Sequence, residues 1–120
     1  MSSALVVFIG GGLGAVCRWG LSLVMLRIGV RTPWPTLVVN VVGCFAAGLL
    51  FGLAQRHGWS EMWLRGVFIG FLGGFTTFSA LGLESWALFE RGEYVRLAVY
   101  VASSVILGLV VCFLGVRCST

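Results

Sequence analysis

Four stretches of about 20 predominantly apolar residues, each long enough to cross the hydrocarbon of a bilayer, fill most of this 120-residue chain. They run approximately from Ala4 to Leu26, Pro35 to Leu53, Gly66 to Phe89 and Leu97 to Val116, that is 4–26, 35–53, 66–89 and 97–116. Such a pattern predicts an all-α membrane protein with the lipid bilayer as its solvent. Composition agrees: 59% of the residues are hydrophobic and only 10% charged, and the mean hydropathy is +1.05, outside the soluble globular range. The connections "RIGVRTPW", "AQRHGWSEMWLR" and "ERGEYVR" carry the Arg, Glu, Trp and Tyr residues typical of a membrane interface. No segment is left for a second domain, so a single four-span membrane domain over 1–120 is expected. The N-terminus has no positive leader region or convincing cleavage site and reads as a retained first span.

All eight basic residues are arginines, scattered without a run, so the net charge of +4 does not describe a nucleic-acid surface. Orientation follows the arginine asymmetry of the loops. With four spans, Arg56, Arg65 and Arg117 fall on one side, and Arg27, Arg31, Arg91 and Arg96 on the other. So even a split gives the insertion machinery almost no instruction and predicts dual topology, with the chain pairing as an antiparallel homodimer. Cys17, Cys44, Cys112 and Cys118 lack metal-type spacing and read as small membrane-buried side chains. His57, the only histidine, reads as a solvated loop residue rather than a proton relay.

Glycine recurs at helical spacing in Gly10/Gly14, Gly48/Gly52 and Gly66/Gly70/Gly74. Small residues four apart let helix backbones approach closely in lipid, which predicts tight packing and nothing about transport. "GGGLG" is not a dinucleotide fingerprint, because no strand precedes it. Polar residues in the spans carry more information. Arg18 lies well inside the first span, where an ionisable group is costly. It reads as an anion attractor, a structural hydrogen-bonding post or an interfacial anchor. Asn40, in "WPTLVVNVVGCFAAG", offers two donors and an acceptor, suited either to joining helices or to meeting an anion. Thr76, Thr77 and Ser79 add hydroxyls in the third span, Glu84 follows, and Tyr100, Ser103 and Ser104 add more in the fourth.

The stretch "GFLGGFTTFSALGLE" concentrates the question. Gly73-Gly74 is poorly suited to helix and Thr76 and Thr77 compete for backbone partners, so a break in the third span is expected near mid-bilayer. Carbonyls freed at that depth are tolerated only if they are buried in protein, line a cavity or bind a cation. Phe78 stands beside them with an electropositive ring edge. A hydroxyl row flanked by that edge suits a small anion, and the carbonyls suit a small cation.

With "GGGLGAVCRW", "WPTLVVNVVGCFAAG", "GFLGGFTTFS" and a fourth span carrying Tyr and Ser, the chain resembles the Fluc (CrcB-type) fluoride channel family over essentially its whole length. The resemblance implies a dual-topology antiparallel dimer with two fluoride pathways and one central structural sodium ion. It implies sodium-binding main-chain carbonyls at Gly73 and Thr76, a pore asparagine at Asn40 and a pore phenylalanine at Phe78. The anion pathway would include Thr77, Ser79, Leu81, Tyr100 and Ser104. Glu84 is the acidic residue of the third span, and Arg18 takes a structural or vestibular role outside the narrowest part. It further implies passive export of fluoride across the bacterial inner membrane, with no enzymatic chemistry.

Three positions depart from the family pattern. Leu81 stands where a second phenylalanine is common, Ala80 where a hydroxyl is common, and Gly108 where a serine can occur. A leucine edge lacks the same electropositive hydrogens, which implies a thinner or slower anion path, or a subunit of a heteromer. The balanced arginine count weighs against the heteromer. Two rival readings stand beside the channel. A small multidrug-resistance type proton antiporter needs a first-span carboxylate, where this chain has Arg18. A non-conducting packing subunit of a membrane complex would leave the hydroxyl row without purpose.

Overall fold

The computed structural model describes all residues, Met1–Thr120, and its regular elements are all helices. Helix α1 (Ser3–Arg27) starts where the Ser2 hydroxyl accepts the Leu5 N–H at 3.3 Å, satisfying one of the donors that a helix start leaves open. Helix α2 (Trp34–His57) carries Pro35 in its first turn, where a missing N–H costs nothing. It closes on Gly58 at φ +61°, the left-handed cap that glycine adopts without penalty. The helix runs past the apolar stretch to include Gln55, Arg56 and His57. His57 therefore sits in an exposed last helical turn rather than a loop.

The third span is composite. Helix α3 (Glu61–Leu64) widens into π-helical turns over Arg65–Leu72, then tightens into the short α4 (Gly73–Phe75). Two extended residues follow, and α5 (Phe78–Glu90) resumes the path. Helix α6 (Tyr94–Ser119) completes the chain. Four helical segments, Ser3–Arg27, Trp34–His57, Glu61–Glu90 and Tyr94–Ser119, are long and apolar enough to cross a membrane.

The spans associate as two close pairs, α1 with the π-helical segment and α4, and α2 with α6. Glycine makes both approaches possible. A Cβ at Gly14 would land on the Phe71 carbonyl oxygen and lie 2.8 Å from the Phe75 nitrogen, and one at Gly74 would land on the Gly11 carbonyl oxygen. In the second pair, Gly48 meets the Cys112 carbonyl and Gly115 meets that of Phe45. Without a hydrophobic drive between helices in lipid, such backbone contact is what dispersion needs to hold them. Between the pairs, Met25, Val39 and Phe75 form a small core, with Leu21, Val30 and Phe71 against it.

Candidate functional site at the third span

Thr76 (φ −85°, ψ 155°) and Thr77 (φ −148°, ψ 120°) are the extended pair between α4 and α5. A stretch like this leaves main-chain groups without helical partners, so each must be traced. Asn40, reaching from α2, brackets Thr77: its Nδ2 donates to the Thr77 carbonyl at 3.0 Å and its Oδ1 accepts the Thr77 N–H at 2.8 Å. That N–H would otherwise serve the Gly73 carbonyl four residues back. The Ala80 N–H, which would serve Thr76 in a continuous helix, donates instead to the Thr77 hydroxyl at 3.2 Å as the cap of α5. The Gly73 and Thr76 carbonyls thereby each lose the donor four residues on.

Arg18 settles a third carbonyl. Its Nε donates to Gly74 O at 3.1 Å, so a guanidinium that forms no ion pair sits against the end of α4. The Thr76 side chain is turned inward. Its hydroxyl donates to Leu72 O at 2.9 Å, and its methyl occupies the space that a Cβ on Gly43 would need. The threonine pair is thus held from α2 by Asn40 and Gly43, while Arg18 of α1 holds the end of α4 that precedes it.

Beside this clamp lies a cleft of about 260 Å³. Asn40, Thr76, Thr77, Phe78, Leu81 and Ser104 line it, together with Cys44 and Val105. Asn40 spends one of its two amide hydrogens on Thr77, which leaves one donor for the cleft. The hydroxyls of Thr77 and Ser79 are 3.2 Å apart. Phe78 is 85% exposed on the isolated chain, its ring free on the lining. The structure brings Asn40, Thr77, Phe78, Leu81 and Ser104 together.

Tyr100 sits apart from this group, fully buried. Its hydroxyl donates to Glu84 Oε2 at 2.6 Å, and Thr36 donates to Glu84 Oε1 at 2.7 Å. Two hydroxyl donors, one on each oxygen, are the arrangement a carboxylate accepts. The Tyr100 proton is therefore directed to Glu84, and the Ser104 hydroxyl donates to the Tyr100 carbonyl at 2.7 Å. Sequence reasoning missed Thr36. Its spacing of four from Asn40 places the two on one face of α2, the signal that was available. Of the departures, Leu81 lines the cleft, Ala80 contributes only its N–H, and the missing side chain of Gly108 faces Cys44 Sγ, which a Cβ would meet at 3.4 Å. Phe75 is buried against Phe71, with ring centroids 6.0 Å apart; it belongs to the core rather than to the cleft.

These features define a four-span helical membrane protein that gathers polar groups around a non-helical stretch inside an apolar segment. Residues 5–116 match the sequence profile of the family described as CrcB-like protein, Camphor Resistance (CrcB). The chain is 47% identical over 117 residues to the fluoride-specific ion channel FluC of Rhizobium etli, covering 96% of this chain and 94% of that protein. It is 46% identical to FluC of Sphingopyxis alaskensis, covering 96% and 93%, and 44% identical to FluC of Methylobacterium nodulans, covering 91% and 89%. The chain belongs to the CrcB-like family. It is a multi-pass bacterial membrane protein from a family of ion channels, not of enzymes.

Proposed function

We propose that this chain forms a fluoride-selective channel that lets fluoride leave the cell passively across the inner membrane, as an antiparallel dual-topology homodimer holding one structural sodium ion. The observation that carries this reading is the Asn40 bracket on Thr77, which sets one spare amide donor on a cleft shared with Phe78 and Thr77, the Thr77 hydroxyl lying 3.2 Å from that of Ser79. Similarity to proteins named fluoride-specific ion channels supports the choice of ion.

Fluoride is small and strongly hydrated, so a selective path must replace its water with donors numerous enough to admit it and weak enough to release it. An amide N–H, hydroxyls and a ring edge meet that demand. A bare guanidinium beside the narrowest point would hold the ion too long; Arg18 is not among the residues that line the cleft and donates its Nε to Gly74 O. The Gly73 and Thr76 carbonyls would hold the sodium ion, since hard cations prefer oxygen and non-helical backbone at membrane depth is a recurrent place to find them. When bound, that ion supplies fixed positive charge at the centre of the assembly.

Gly73, Phe78 and Ser79 are exposed on the single chain. Main-chain oxygens without partners do not face lipid, where each costs several kcal/mol, so a second copy covering this face is the natural completion. An antiporter reading finds no support: Glu84, the one carboxylate away from the ends of the spans, is tied by Thr36 and Tyr100.

The test is ion efflux from liposomes containing the purified chain, with an ionophore removing the membrane potential. Fluoride should leave rapidly and chloride should be retained. Retention of both ions, or equal loss of both, would overturn the assignment.

A further inference from the structure

At the end of the molecule where the α1–α2 connection meets the α5–α6 turn, a cavity of about 490 Å³ opens between the two loops. Arg31, Thr32, Arg91 and Arg96 supply its polar wall, and Leu26 and Val30 its apolar one. Arg96 is held in place: it pairs with Glu93 at 3.0 Å, donates to the Thr32 carbonyl at 3.3 Å and lies 5.8 Å above the Trp34 ring. Arg31 and Arg91 are exposed, and their guanidinium groups form no ion pair or hydrogen bond. Four arginines, counting Arg27, face only two carboxylates at this end, Glu90 and Glu93, and Glu93 is already committed. The opposite end differs, since the arginine lining its large cleft, Arg65, is neutralised by Glu61 at 2.7 Å and bonded to Ser3.

We infer that this cavity is a binding site for a phosphate ester, and that its occupant is the headgroup of an acidic phospholipid. Two unpaired guanidinium forks match phosphate oxygens bidentately, and the cavity is far larger than a halide needs. Its level in the molecule favours the lipid source. The loops flank the spans, Trp34 marks the headgroup layer, and the Leu26 and Val30 wall suits the glycerol and upper acyl carbons that follow the phosphate. Basic pockets between membrane helices hold headgroups by this chemistry.

The test titrates the detergent-purified chain, stripped of lipid, with phosphatidylglycerol and reads bound lipid by native mass spectrometry. An Arg31→Gln/Arg91→Gln variant should bind it about 30-fold more weakly, the worth of two arginines at a lipid surface. An Arg56→Gln/Arg117→Gln variant removes the same charge from the other end and should bind as the wild type does. If excess inorganic phosphate leaves the lipid bound, the headgroup is the occupant; if phosphate displaces it, the site takes the same chemistry from a free anion as well. Equal affinity in the wild type and the Arg31/Arg91 variant would overturn the site. So would an equal loss in both variants, which would reduce the effect to bulk charge. Elution of both variants as the wild type does shows that neither loss comes from misfolding.

Discussion

Replacing Asn40 by alanine is expected to lower fluoride efflux by one to two orders of magnitude. The substitution removes both hydrogen bonds to Thr77 and leaves its N–H and carbonyl without partners inside an apolar span. An unmet buried group costs about 1–3 kcal/mol, and roughly 1.4 kcal/mol on a barrier is a factor of ten in rate. The same change takes away the amide donor left for the cleft. An Asn40→Asp variant separates the two losses: it can still accept the Thr77 N–H but carries a negative charge toward the anion path. Its efflux should fall as far as that of alanine, while its thermal stability in detergent falls less. Wild-type efflux from Asn40→Ala would mean that the bracket plays no part in conduction.

Replacing Gly14 by valine is expected to abolish the folded assembly. The new Cβ would fall on the Phe71 carbonyl oxygen, and main chain on both sides cannot yield as a flexible side chain would. Overpacking a close-fitted interface typically costs about 1–3 kcal/mol, and here the whole approach of α1 to the third span depends on the contact. Gly12 is the control on the same helix, since a Cβ there meets nothing within 4 Å. Gly12→Ala should leave gel-filtration behaviour unchanged while Gly14→Val elutes as aggregate. A monodisperse Gly14→Val protein of wild-type stability would show that the spans can separate without loss.

The helical architecture was readable because lipid imposes it: four runs of apolar residues long enough to span, punctuated by arginine, leave helices as the economical solution. The glycine pairs were readable for a related reason, since spacing of four at 10 and 14 and at 66, 70 and 74 puts small residues on facing stripes. Gly73, Gly74, Thr76 and Thr77 stood out by residue type, and around them Arg18 and Asn40 converge. What could not be read were partners distant in sequence. Nothing local joins Thr36 to Glu84, 48 positions on, or Arg18 to the Gly74 carbonyl, 56 positions on. The π-helical turns over Arg65–Leu72 also escape a pattern reading, because their composition is that of any apolar helix and the widened path shows only once α1 is packed against them. Tyr100 illustrates the limit of residue type alone. As a buried hydroxyl it suits an anion path, yet the direction of its proton is decided by a carboxylate 16 residues away.

Fluoride efflux from liposomes carrying Phe78→Ile, beside Leu81→Ile and the wild type, tests most directly whether the ion passes through this cleft. Phe78 is the aromatic side chain on the cleft lining, so its loss removes the one electropositive ring edge there while keeping an apolar side chain. Phe78→Ile should fall to the leak of empty vesicles while Leu81→Ile conducts as the wild type does. Undiminished efflux through Phe78→Ile would place the fluoride path elsewhere in the molecule.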